Sequence, residues 1–164
     1  MGINIPPELK HTLNSGLFLK RDSTIKEDRI LIFTTAVNMK RLSEAPFWIM
    51  DGTFKTVPII FYQMYTIHAP VGHGNRRVFP LMYAFMTGKS EVLYKRLFQD
   101  LTDIADENEI DLNPQSIISD LELAVINAAK SEFPNANTKL CFFSFRTVHL
   151  EKNSVKWIVN SLRQ

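Results

Sequence analysis

The chain has 164 residues, 45% of them hydrophobic, a single cysteine and a formal net charge of +2. Those values fit one compact domain with its own core and leave little room for two. They exclude an intrachain disulfide and a cysteine-rich zinc site, since Cys141 stands alone. No run of about 18 apolar residues offers a membrane span, and no basic-then-apolar leader opens the chain. The expectation is an intracellular, soluble protein with no membrane partner. Charge is unevenly spread: residues 51–100 carry six Lys or Arg against three Asp or Glu, and residues 101–164 carry six against nine. That bias permits a nucleic-acid partner without requiring one.

Residues 1–28, polar and interrupted by Pro6, Pro7 and Gly16, read as a loosely structured lead-in. "RILIFTT" (29–35) is strand-like through its β-branched and aromatic content, and "AVNMKRLSEA" supports a helical turn or two before Pro46. Three strand-like runs follow at 46–54, 59–71 and 78–88. The glycine-containing link "GHGNRR" makes the second and third an antiparallel hairpin, and a turn around Lys55 to Pro58 makes the first and second another. After Gly88 the apolar period lengthens: Val92, Leu93, Leu97, Leu101 and Ile104 predict a helix over 90–109, capped by Ser90. "SIISD" (116–120) reads as a short strand, "LELAVINAAKSEFP" as a helix until Pro134, "TKLCFFSF" (138–145) as a strand, and 148–164 as a final helix.

The order β-β-β-α-β-α-β-α predicts an α/β fold, a mixed sheet with helices on both faces. With a right-handed crossover, strand 116–120 lies beside strand 46–54 and parallel to it, the ribonuclease H-like layout. Asp51 and Asp120 each stand at the end of one of those strands, so this topology gathers two carboxylates, 69 residues apart in sequence, at one sheet edge. Paired carboxylates repel unless a cation lies between them. A hard divalent ion such as Mg²⁺ takes a few carboxylates together with water and phosphate oxygens, the arrangement of metal-assisted phosphodiester cleavage and transfer. Plainer readings stay open at this point. Asp51-Gly52 is a common turn dipeptide, Asp120 suits the positive end of a helix, and "SDLE" (119–122) fits a capping box.

"FWIMDGTFKTVPIIFYQMYTIHAPV", "VFPLMYAFMTGKSEVLYKRLFQDL", "IISDLELAVINAAKSEFP" and "KLCFFSF", in that order from Arg29 to Phe145, resemble the Mutator-like element (MULE) transposase domain. The resemblance implies a catalytic-core domain over 29–164 with a ribonuclease H-like fold. It further implies an Asp, Asp, Glu triad binding two Mg²⁺ (or Mn²⁺) ions, cut-and-paste transposition of DNA, nuclear residence and a possible homo-oligomer. On this resemblance Asp51 is the first acid and Asp120 the second, both as metal ligands and catalytic residues. Two departures accompany it. Ser144 in "CFFSF" stands where the family usually has a histidine, with His149 five residues further on. The third acid belongs further downstream than Glu151, the only acid after residue 132, which reads as a solvated helix residue. The core is therefore expected to be C-terminally incomplete and its activity impaired, with a transposase-derived DNA-binding or interaction module as the alternative. A zinc-finger segment for recognising transposon ends is not expected in this chain.

Lys55, Arg76 and Arg77 are the candidate phosphate contacts, with His68 and His73 near the same hairpin link. Each has an ordinary reading as an exposed loop or strand-edge charge. Phe142, Phe143 and Phe145 read as core, and Trp157, Ile158 and Leu162 as a patch where a further part of the protein would dock.

Overall fold

A computed structural model describes residues 4–55, 57–72 and 77–141 of the chain. After a 3-10 turn at Pro7–Lys10, the elements are β1 (Leu19–Ile25), β2 (Asp28–Phe33), α1 (Ala36–Glu44), β3 (Phe47–Thr53), β4 (Gln63–Val71), β5 (Arg77–Met86), α2 (Glu91–Asp106), β6 (Ser116–Ser119), α3 (Leu123–Glu132) and β7 (Asn137–Leu140). The strands form one mixed sheet in the order β1-β2-β5-β4-β3-β6-β7. β3, β4 and β5 are antiparallel neighbours, whereas β6 runs parallel to β3 and β7 parallel to β6. The placement of 116–120 beside 46–54, expected from sequence, is thus present.

Alternation along the strands decides what each face buries. Ile30 and Ile32 of β2, Trp48 and Met50 of β3, Tyr65, Ile67 and Ala69 of β4, and Ile117 of β6 point to one face. There they share a single core with Met39 and Leu42 of α1, Leu97, Phe98 and Leu101 of α2, and Val125 and Ala129 of α3. Trp48 anchors this layer: its ring meets Phe133 at 5.2 Å and its indole N–H donates to the Leu42 carbonyl at 3.0 Å. The opposite face carries a smaller cluster of Leu31, Phe33 and Phe61, with Ile5, Phe18, Tyr83 and Phe85 packed on it.

Four expectations are corrected. The described helices cover one face of the sheet, not both, because all three contribute to the same core cluster. Residues 19–25 are a strand rather than part of a loose lead-in. Its residues pair with β2 from Leu19↔Phe33 to Ile25↔Asp28, and ion pairs add to the pairing: Asp22 to Arg29 at 2.6 Å and Arg21 to Glu107 at 2.8 Å. An edge strand needs only one apolar face, so its polar sequence hides it. The run 59–71 becomes a strand only at Gln63, since Pro58 sets a turn closed by the Phe61 amide on the Pro58 carbonyl, 2.8 Å, and Ile59 faces solvent. The capping box at Ser119 does not form: Ser119 is the last, buried residue of β6, and α3 starts later with Glu122 as its cap. Ser90, by contrast, caps α2 as expected, its hydroxyl accepting from the Leu93 amide at 3.3 Å.

The last strand is described only through Cys141, whose amide donates to the Ser119 carbonyl. His73, Arg76, Phe142, Phe143, Ser144, Phe145, His149, Glu151, Trp157, Ile158 and Leu162, with the helix expected at 148–164, lie outside the described residues. Among the described residues no helix is long and apolar enough to cross a membrane.

Candidate metal site at the sheet edge

The parallel pairing of β3 with β6 sets Phe47↔Ser116, Trp48↔Ile117 and Ile49↔Ile118. Two residues further along both strands (51 − 49 = 2 and 120 − 118 = 2) stand Asp51 and Asp120. Neighbouring strands lie about 4.8 Å apart. Asp51 follows Ile49 within β3 and Asp120 comes directly after the last residue of β6, so the two stand near each other where the two parallel neighbours run out, close enough for the charge of Asp51 to act on Asp120. Ligands of open α/β sheets favour that location.

The two acids differ in surroundings. Asp51 is exposed and pairs across β4 with Thr66. Asp120 is partly buried, and its Oδ1 is buried with no hydrogen-bond partner. Burial pushes the Asp120 carboxyl above its ordinary value, and the charge of Asp51 pushes it further. The backbone amides of Asp120 and Glu122 and the ammonium of Lys89 oppose that rise. A lone carboxylate oxygen, desolvated and facing a second acid, is unfavourable by itself and suits a cation.

Behind the pair lies a set of polar groups from four elements. Gln63, fully buried at the start of β4, donates from Nε2 to the Tyr94 hydroxyl of α2 at 2.9 Å and to the Gly88 carbonyl at 3.3 Å. The Tyr94 hydroxyl in turn donates to Glu122 Oε2 at 3.3 Å. Burial and the neighbouring charge of Asp120 raise the Glu122 carboxyl. Tyr65, almost fully buried, keeps a hydroxyl without a partner, and its pKa lies well above the phenol range through burial and through the charges of Tyr94, Asp120, Glu122 and Asp51. Gly52 is required beside these groups, because a Cβ there would stand 2.8 Å from Gln63 Oε1 and 3.5 Å from Tyr65 Cδ2.

Sequence reasoning missed Glu122, Tyr94, Gln63 and Lys89. Gln63 in an otherwise apolar strand start was the one visible signal, since a buried amide needs partners. Of the expected cations, Lys55 is exposed in the turn after β3, but the lysine whose charge Asp120 and Glu122 feel is Lys89, just before α2. Arg77 is exposed at the start of β5 and pairs with Val71. Tyr83 stands in the Asp51 row through Thr66, six residues further along β5 (83 − 77 = 6), so Arg77 lies about 20 Å along the strand from that row. Arg76 is outside the described residues. His68 sits within β4, not in the link, with its Nδ1 buried and unpartnered.

Among the described residues no group of three His, Cys, Asp or Glu side chains is close enough together to hold an ion. The described site is thus a pair of acids with Glu122 set back from it. Two carboxylates still satisfy the protein share of a Mg²⁺ shell, which otherwise consists of water and substrate oxygens.

No curated protein matches the chain. A family model, the MULE transposase domain, matches residues 47–147, which includes both acids and every strand from β3 to β7. On that match over more than half its length, the chain belongs to the MULE transposase family.

Proposed function

We propose that this chain is the catalytic core of a Mutator-like DNA transposase, with nuclear DNA as its substrate and a ribonuclease H-like fold. The observation that carries the proposal is that the parallel pairing of β3 with β6 brings Asp51 and Asp120 near each other, with Asp120 Oδ1 buried and unpartnered. The strand order β5-β4-β3-β6-β7, three antiparallel strands continued by two parallel ones, supports the fold. The β1-β2 hairpin is then an addition on the β5 side.

Asp51 and Asp120 are the residues that would hold Mg²⁺ or Mn²⁺. When bound, the ion supplies Lewis-acid polarisation of a phosphate oxygen and a more acidic water. The chain's own contribution is positional. Strand pairing fixes both carboxylates, the Gln63 and Tyr94 hydrogen bonds hold Glu122 at the start of α3, and Lys89 offsets part of the negative charge that would repel a phosphate. The test is strand nicking of supercoiled DNA by the full chain with Mg²⁺ or Mn²⁺. Nicking lost in Asp51→Ala supports the proposal, and metal-dependent nicking that survives Asp51→Ala rejects it.

A second reading is a transposase-derived module that binds DNA or protein without cutting, possible oligomers included. The two-acid composition of the described site favours it, because a third ligand would have to come from outside the described residues. DNA binding without metal-dependent nicking, unchanged in Asp51→Ala, is the result it expects.

A further inference from the structure

The same sheet edge carries two aromatic rings with no place in the carboxylate site. Phe54, directly after β3, is 48% exposed, and Tyr62, just before β4, is 47% exposed. Their rings meet edge to face, with centroids 5.5 Å apart and planes at 80°. Neither ring is loosely held. The Tyr62 amide donates to the Met86 carbonyl at 2.8 Å, which fixes it to the end of β5, and its neighbour Phe61 is buried in the opposite-face cluster. Phe54 is packed under Gly52, its Cζ 3.7 Å from where a Cβ would be. Aromatic side chains that form a pair normally bury it, so a rigid pair half open to solvent is unusual for a core residue type.

Lys89 links the rings to the acids. Its Nζ lies 5.7 Å from the Tyr62 ring centroid, and its charge also acts on Asp120 and Glu122. Phe54 is three residues past Asp51 (54 − 51 = 3), at most about 10 Å of extended chain. An exposed ring, a cation beside it and a carboxylate pair within that span match a DNA strand in chemistry: base on ring, phosphate on lysine, scissile phosphate at the acids.

We infer that Phe54 and Tyr62 form a platform for one unpaired nucleobase of the DNA strand held at Asp51 and Asp120, the base stacked on one ring and edge-on to the other, with Lys89 contacting its phosphate. The inference rests on the proposed function in taking DNA as the substrate, but not on any metal being bound. Charge complementarity favours DNA over an apolar protein partner here, because a lysine lies over the Tyr62 ring.

The test is binding of a single-stranded oligonucleotide containing 2-aminopurine by the full chain in EDTA, read by fluorescence quenching on stacking. The wild type is expected to quench. Tyr62→Ala and Phe54→Ala should each bind roughly tenfold or more weakly, while Tyr62→Phe binds as the wild type because stacking uses the ring. Lys89→Gln should lower the slope of log affinity against log salt by about 0.7, one phosphate contact. Circular dichroism melts identify any variant that fails to fold, and Tyr62→Phe against Tyr62→Ala keeps the comparison within one position. Wild-type binding without quenching, full affinity in Tyr62→Ala and Phe54→Ala, or self-association through the rings in place of DNA binding would each overturn the platform. Nicking with unchanged Tyr62→Ala binding overturns the platform alone. Quenching lost in Tyr62→Ala, in a chain that never nicks, leaves the platform standing and removes the catalytic reading.

Discussion

Asp100 and Asp120 show how one residue type is treated in two regions of this molecule. Asp100 lies in the middle of α2, 1% exposed, with Oδ1 accepting from Arg96 Nε at 2.7 Å. Arg96 reaches on to Ser23 Oγ of β1 at 3.3 Å, so the acid helps tie the helix to the edge of the sheet. Its second oxygen is buried without a partner, so the guanidinium carries the compensation for burial. Asp120, at the end of β6, also has a buried unpartnered oxygen, but the strongest charge acting on it is a second acid, and its burial is opposed only by backbone amides and Lys89. A carboxylate inside the fold is paired by the fold. A carboxylate left facing its like at a strand end costs stability, and such cost is retained where something outside the chain completes the site.

The largest effect should come from removing the second of these acids in a cutting assay. If Asp51 and Asp120 share an ion, Asp120→Asn should lower Mn²⁺-dependent nicking by about three orders of magnitude, the scale of several kcal/mol of Lewis-acid stabilisation. Asp100→Asn should leave the nicking rate per folded molecule near that of the wild type. A nicking defect in both variants would erase the distinction.

Stability should separate them in the other direction. Asp100→Ala strips Arg96 of its partner and is expected to cost about 1–3 kcal/mol, read as a lower midpoint in urea; the arginine is 43% exposed, so water limits the loss. The cost should fall partly on β1, because Arg96 would no longer be oriented toward Ser23. Faster hydrogen exchange across the β1-β2 ladder is the local readout.

A smaller change tests how closely the site is built. Gly52→Ala puts a methyl group 2.8 Å from Gln63 Oε1, so either the amide shifts away from Tyr94 or the backbone beside Asp51 moves. The expected cost is about 1–2 kcal/mol. Gly52→Ala combined with Gln63→Ala should recover part of it, and full additivity of the two would show that they do not touch.

Much of this arrangement was legible in the sequence, and the parts that were not share a physical cause. β-branched and aromatic runs marked β2 to β5, the apolar period of α2 stood out, and the resemblance to the MULE domain singled out Asp51 and Asp120. What alternation and period cannot express is contact between distant elements. Gln63, Gly88, Tyr94 and Glu122 come from β4, a loop, α2 and the cap of α3, and only the fold brings them together. Ser119 to Glu122 satisfied a local pattern, yet β6 claimed Ser119 for its last buried position, which shows tertiary pairing overriding a capping preference. β1 was hidden because its ion pairs, not an apolar stripe, occupy its visible residues.

The finest test of the comparison is the sign of a pH dependence. The Asp120 carboxyl in the folded chain is raised above its ordinary value of 3.8, so the folded state holds its proton more tightly than the unfolded state does. Its contribution to stability is therefore complete below the ordinary value and is lost as pH rises through the raised one. At neutral pH without metal, Asp120→Asn removes a charge that burial and Asp51 both disfavour. The variant should melt roughly 1–3 °C higher than the wild type, a small effect because the side chain is only partly buried. The difference should shrink as pH is lowered through the raised value, where the wild-type acid protonates as well. Adding Mn²⁺ should reverse the order, since an ion that binds only the folded wild type stabilises it and leaves the variant behind. A higher midpoint for the wild type in EDTA at neutral pH would mean that Asp120 serves the fold as Asp100 does, its charge compensated by the backbone amides and Lys89.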